Sequence, residues 1–144
     1  MNKQNKNICI HVCDDNPVVI EKAIKITKDL LNDERLAAEI VAYEDGNQFT
    51  ERYKERKDEL LILDIDMPGK SGLDILKEFE IHCKNNRVIL LTAYDNLALQ
   101  SLMYGPFQIV RKDLMEIDLE KAIRRFLRIR NDQNAPVSYT HLTL

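Results

Sequence analysis

The sequence predicts an α/β fold in which one parallel sheet of five strands is covered on both faces by five helices. Three observations carry this expectation. Short, wholly apolar runs recur between stretches of helical spacing, and a strand without inward and outward alternation is one buried on both faces. Strands and helices alternate along the chain without internal repeats, the pattern of a parallel sheet joined by crossover helices. The polar residues of chemical interest each follow directly after a predicted strand, where a parallel sheet gathers them along one edge.

Ile8 to Val12 is the first apolar strand, and it ends in Cys13-Asp14-Asp15-Asn16-Pro17. Pro17 suits the first turn of a helix and Asn16 the cap before it. Val19, Ile20, Ala23, Ile24, Thr27, Leu30 and Leu31 then recur at helical spacing, a stripe broad enough to cover a sheet face. Glu39 to Tyr43 is a short second strand, Gly46 starts a turn, and Phe49 with Tyr53 marks a modest helix. The charged run Arg52 to Glu59 that follows is expected to be a solvated helix face and loop. Leu60 to Leu63 is the third strand, closed by Asp64. Pro68, Gly69 and Gly72 supply a turn, and Leu73, Leu76 and Phe79 continue as a helix to Cys83, before a turn at Lys84-Asn85-Asn86.

Val88 to Leu91 is the fourth strand and ends in Thr92. Asn96 to Met103 has helical character, Gly105-Pro106 breaks it, and Phe107 to Val110 forms the fifth strand, ending in Arg111-Lys112. Asp113 is expected to cap the last helix, with Glu116 three residues later completing a capping box. Leu119, Ala122, Ile123, Phe126 and Leu127 give that helix its apolar stripe. From Asn131 the periodicity stops. Residues 7–130 are thus expected to form the domain, and 131–144 a disordered linker or a segment foreign to the natural protein, outside the core.

Composition narrows the function. At 144 residues the chain is one domain, large enough for a core without disulfide or metal staples. A hydrophobic fraction of 44% and a charged fraction of 31% describe an ordinary globular protein, and a net charge of −3 leaves no electrostatic footprint for nucleic acid. The three cysteines are odd in number and lack CxxC spacing, which argues against a disulfide framework and a zinc site. Cys9 and Cys13 are expected to be small core residues. No apolar run approaches a membrane span, and the polar start Met1 to Asn7 is not a signal peptide, so the cytoplasm is the expected location and no membrane the expected partner.

The chemistry lies at the strand ends. A carboxylate directly after a buried strand must either be desolvated at large cost or lie at an open sheet end that a cation and water can reach. Taken alone, Asp64 is more often a turn former or cap than a reactive group. Its company favours the reactive reading: Asp14 and Asp15 after the first strand, Thr92 after the fourth, Lys112 after the fifth. If the first and third strands are neighbours at a switch point, three carboxylates converge there and raise one another's pKa unless a cation neutralises them. Mg²⁺ is the natural ion, since it takes a few carboxylates, keeps waters and accepts phosphate oxygens. Thr92 then offers a hydroxyl and Lys112 a charge to a phosphoryl group on Asp64.

Asp14-Asp15, the Asp64-x-x-Met67-Pro68-x-x-x-Gly72 motif, Thr92-Ala93 and Lys112 together resemble the signature of response-regulator receiver domains of two-component signalling. The resemblance covers residues 8 to about 130. It implies a flavodoxin-like, doubly wound sheet of strand order 2-1-3-4-5, and a phospho-acceptor signalling domain rather than an enzyme. It implies Asp64 as the acceptor of a phosphoryl group from a sensor histidine kinase, and Mg²⁺ held by Asp15 directly, by Asp14 through water, by Asp64 and by the Asp66 backbone carbonyl. Thr92 and Lys112 become the groups that meet the phosphoryl oxygens. The segments Met67 to Gly72 and Thr92 to Gln100 look most like the subgroup that carries a LytTR-type DNA-binding output domain, here absent. The same resemblance suggests self-association through the face of the fourth helix, fifth strand and fifth helix, with Leu99, Met103 and Tyr104.

Two positions depart from the family. Ile109 stands where members usually have an aromatic residue, which puts an aromatic switch in doubt. Asp113 follows the lysine where they usually have proline. Without proline a cis bond costs about 2.5 to 4 kcal/mol, so Lys112-Asp113 is expected to be trans, with the lysine reaching the site through its flexible stem. Two rival readings remain: a haloacid-dehalogenase-like phosphatase, from Asp64-x-Asp66 after a buried strand, and a receiver-like module that acts only through protein contacts. Pro68 and the early position of Asp14 and Asp15 tell against the first, and the complete acidic set against the second.

Overall fold

The computed structural model describes residues 8–93 and 95–133. Five strands, β1 (Ile8–Cys13), β2 (Ala38–Tyr43), β3 (Glu59–Asp64), β4 (Val88–Thr92) and β5 (Gln108–Arg111), form one sheet in the order β2-β1-β3-β4-β5. All four pairings are parallel. The helices are α1 (Pro17–Asp33), α2 (Gly46–Arg52), α3 (Gly72–Ile81), α4 (Asp95–Ser101) and α5 (Met115–Gln133), with short 3-10 turns at Asn85–Arg87, Leu102–Tyr104 and Lys112–Leu114. The expected fold and strand order are those observed.

The apolar strands divide their side chains between two cores. Ile8, Ile10, Val12, Leu60, Ile62, Ile89 and Leu91 pack with Ala23, Leu30 and Leu31 of α1 and with Leu119, Ala122, Ile123 and Leu127 of α5. Cys13, Leu61, Leu63, Val88 and Leu90 pack on the other face with Phe49 of α2 and with Ile75, Leu76 and Phe79 of α3. The wholly apolar runs are thus strands wetted on neither face, and their carboxyl ends lie together on one edge.

Helix starts follow local chemistry. Asn16 accepts the Val18 N–H at 2.9 Å and caps α1, whose first residue is Pro17, as the sequence predicts. Asp45 caps α2 by accepting the Gln48 N–H at 2.8 Å. Ser71 and Asp74 make a reciprocal capping box at α3.

Three expectations are corrected. The run Arg52 to Glu59 is not simply a solvated face and loop: Glu59 begins β3 and is 2% exposed. Its carboxylate accepts the Tyr53 hydroxyl at 2.5 Å, the Arg56 N–H at 3.0 Å, the Arg87 guanidinium at 3.2 Å and His11 Nε2 at 3.2 Å. Four donors compensate its desolvation, so burial's upward pull on its pKa is outweighed and the pKa falls below the ordinary value.

Asp113 forms no cap. It lies in the 3-10 turn that precedes α5, and its carboxylate takes the Arg111 guanidinium at 3.1 and 2.8 Å, while Glu116 pairs with Lys22 of α1 at 2.7 Å. The guanidinium two residues away holds the carboxylate instead. The Lys112-Asp113 bond is trans, as expected. Finally, α5 runs to Gln133, past the boundary expected at 131. The rest of the expected linker or foreign tail, from residue 134, lies outside the described residues.

Candidate functional site

The site assembles where β1 and β3 lie side by side at the middle of the sheet. Cys13 pairs with Leu63 in that ladder, so Asp14 and Asp64 emerge from adjacent strands at the same level. Both carboxylates are buried, with Asp14 at 0% and Asp64 at 3% exposure, whereas Asp15 is exposed to solvent. One oxygen from each of Asp14, Asp15 and Asp64 lies within 4.8 Å of the others, so the predicted convergence occurs.

The backbone sets these positions. The Asn16 N–H donates to Asp14 Oδ1 at 2.9 Å, and the Asp66 N–H donates to Asp64 Oδ1 at 3.2 Å. The Ile65 N–H bonds to the Leu91 carbonyl at 2.9 Å and carries the sheet one residue past the acidic strand end. Gly72 closes the loop. A Cβ there would lie 2.2 Å from the Asp64 carbonyl oxygen, so only glycine lets α3 begin this close to β3. Gly69, at φ 77°, makes the turn before it.

Lys112 reaches into the cluster from the end of β5. Its ammonium lies 2.9 Å from Asp14 Oδ2 and 3.2 Å from Asp64 Oδ2. Apart from this ammonium, Asp14 Oδ2 has no partner among the described residues. One lysine does not satisfy two buried carboxylates. Burial raises the Asp14 pKa, and burial with the Asp14 charge pushes the Asp64 carboxyl up to about 6, against the downward pull of Lys112. The lysine's own pKa rises because the two carboxylates outweigh its desolvation. Thr92 is buried at the end of β4, one residue beyond Leu91, which stands opposite Asp64 in the β3–β4 ladder.

These residues fit a hard divalent cation. Three carboxylate oxygens within reach of one another, two of them on buried side chains that share a single ammonium, are an oxygen donor set short of positive charge. Among the described residues this is the one cluster of three such groups.

A second buried polar group, on the α2 side of the sheet, was not foreseen from the sequence. His11 Nδ1 lies 2.8 Å from the Tyr43 hydroxyl, and its Nε2 faces Glu59. An ionised Glu59 only accepts, so Nε2 carries the hydrogen of that bond. The available signal was a histidine inside an otherwise apolar strand.

The family model of the response regulator receiver domain matches residues 10–124, and the chain belongs to that family. Sporulation initiation phosphotransferase F of Bacillus subtilis is 32% identical over 81 residues, covering 55% of this chain and 64% of that protein. Sensory transduction protein LytT of the same organism is 23% identical over 117 residues, covering 72% of this chain and 48% of the relative. The matches thus span less than two thirds of either relative. Among solved structures, the response regulator TrrA of Thermotoga maritima in complex with Mg²⁺ and BeF is 28% identical with a TM-score of 0.62, covering 81% of this chain and 96% of that one.

Proposed function

We propose that this receiver domain accepts a phosphoryl group on Asp64 from a sensor histidine kinase and thereby switches an output domain carried outside these residues. The observation that bears most weight is the buried Asp64 carboxylate held between Asp14 and the Lys112 ammonium. A carboxylate raised to about 6 by burial and a like charge is still ionised at neutral pH, yet poorly solvated, and so a competent nucleophile.

In the proposed transfer an Asp64 oxygen attacks phosphorus and the phosphorus–nitrogen bond of the kinase phosphohistidine breaks. The electron pair leaves with the imidazole, and an aspartyl phosphate remains. Asp14, Asp15, Asp64 and the Asp66 carbonyl would hold Mg²⁺, which when bound would supply positive charge against the phosphoryl oxygens. Lys112, already between two carboxylates, exchanges a carboxylate contact for a phosphoryl oxygen, and the Thr92 hydroxyl donates to another.

The weak similarity to LytT supports, for the output, a DNA-binding domain of the LytTR type. The cytoplasm is the proposed place of action; none of the described helices is long and apolar enough to cross a membrane. Leu99 on α4, Leu102 and Met103 in the turn after it, and Ile117 on α5 are exposed, and they offer apolar side chains for a phosphorylation-linked homodimer to cover. The test is incubation with a small-molecule phosphodonor and Mg²⁺. Acid-labile phosphate is expected on the wild type and not on Asp64→Asn. Equal incorporation by the variant would refute the assignment.

A further inference from the structure

The end of α5 is held differently from the rest of that helix. Through Leu127 its inner face is apolar and buried, but among the described residues Leu127 is the last buried apolar one, and beyond it Ile129 and Arg130 are half-buried while α5 continues to Gln133. Along its length the helix is tied to α1, by Lys22 to Glu116 at 2.7 Å and Arg124 to Glu34 at 2.6 Å. Beyond Leu127 the tie goes to the sheet instead. Arg130 Nε donates to both Asp58 oxygens, at 2.7 and 2.9 Å, and Nη2 donates to Oδ2 at 2.5 Å.

Asp58 is a firm anchor. It immediately precedes β3, and its carbonyl accepts the Cys9 N–H at 3.0 Å, which sets it into the β1–β3 ladder. The Arg130 side chain is 18% exposed and that of Asp58 34%, so the pair is partly shielded from water and salt. Fork geometry with three donated bonds separates it from the long, exposed ion pairs that contribute little.

We propose that Arg130 and Asp58 form a latch that docks the last turn of α5 on the start of β3 and so sets the direction in which the chain leaves the domain. A helix end without buried apolar contacts frays, because its final carbonyls have no intrahelical partner. The latch supplies the missing tertiary contact. It joins the outgoing helix to the strand that ends in Asp64, but it needs neither a metal nor a phosphoryl group, so it stands or falls separately from the acceptor assignment.

Amide hydrogen exchange on the whole chain tests it, in wild type, Asp58→Asn, Arg130→Gln and the double variant. Exchange over residues 128–133 should quicken about fivefold in each single variant, as expected when an ion pair of good geometry is lost. It should quicken no further in the double variant, since both changes remove one interaction. Amides of β3 and β4 serve as the internal control. If they also lose protection in the variants, a salt titration of the wild type decides: the latch requires faster exchange at 128–133 as salt rises, with β3 and β4 steady. Unchanged protection at 128–133 in both single variants, additive effects in the double, or no salt response in the wild type overturns the latch.

Discussion

At the scale of single residues, Asp64 is an acid kept at a cost. A carboxyl that folding raises binds its proton more tightly in the native state, so it subtracts stability as pH climbs from 3.8 towards and beyond about 6. The ceiling of that cost is roughly 3 kcal/mol at neutral pH. Asp64→Asn is therefore expected to raise the melting temperature at pH 7 without divalent ions, and the gain should vanish near pH 4. Thermal unfolding at both pH values checks this, and equal gains at both would contradict it.

Lys112 acts in the opposite sense, since its charge pulls the Asp64 pKa down. Lys112→Ala should leave a phosphorylatable protein whose acid limb of phosphate incorporation lies at higher pH than in wild type. An unmoved limb would mean that the ammonium does not act on Asp64.

Why these residues were legible and others were not is also a matter of single positions. Asp14, Asp64, Thr92 and Lys112 each follow an apolar strand, so one rule about parallel sheets brings them together. Glu59 obeys no such rule. It stands in a run of charges, and its partners His11, Tyr53 and Arg87 come from other elements. Only tertiary structure tells it from the solvated charges beside it.

At the scale of elements, the strands were legible because a doubly buried strand needs an unbroken apolar run, and such runs are few. Boundaries were less so. Asp113 and Glu116 have the spacing of a capping box, but competing cations, Arg111 and Lys22, took both carboxylates. The α2 segment belongs to this scale too, because its last residues depend on Tyr53 reaching the buried Glu59. Replacing Glu59 by Gln leaves buried donors facing an amide that cannot accept them all, and should cost about 3 kcal/mol by the usual measure of a broken buried pair. The sign of its pH dependence differs from that of Asp64. A depressed carboxyl contributes stability above its unfolded pKa and loses it as pH falls through the folded one, so wild type and Glu59→Gln should converge in strong acid. Denaturant unfolding against pH measures this, and a constant difference would contradict it.

At the scale of the whole molecule, two apolar cores hold five strand ends in register, and the register makes the site. The sheet places Asp14 beside Asp64, β4 brings Thr92 one step further along, and β5 supplies Lys112 from the far side. An ion that binds only the folded arrangement stabilises it by mass action. Mg²⁺ should thus raise the wild-type melting temperature with concentration, and Asp14→Asn should weaken that response. An equal response in the variant would detach the metal from this cluster.

If Asp64 carries the phosphoryl group, the modified residue can be located chemically. After incubation with a phosphodonor and Mg²⁺, borohydride converts an aspartyl phosphate to homoserine, which peptide mass spectrometry assigns to a position. The conversion is expected at Asp64 and not at Asp14, Asp15 or Asp66. Conversion at any of those three, or phosphate incorporation with no converted aspartate, would contradict it.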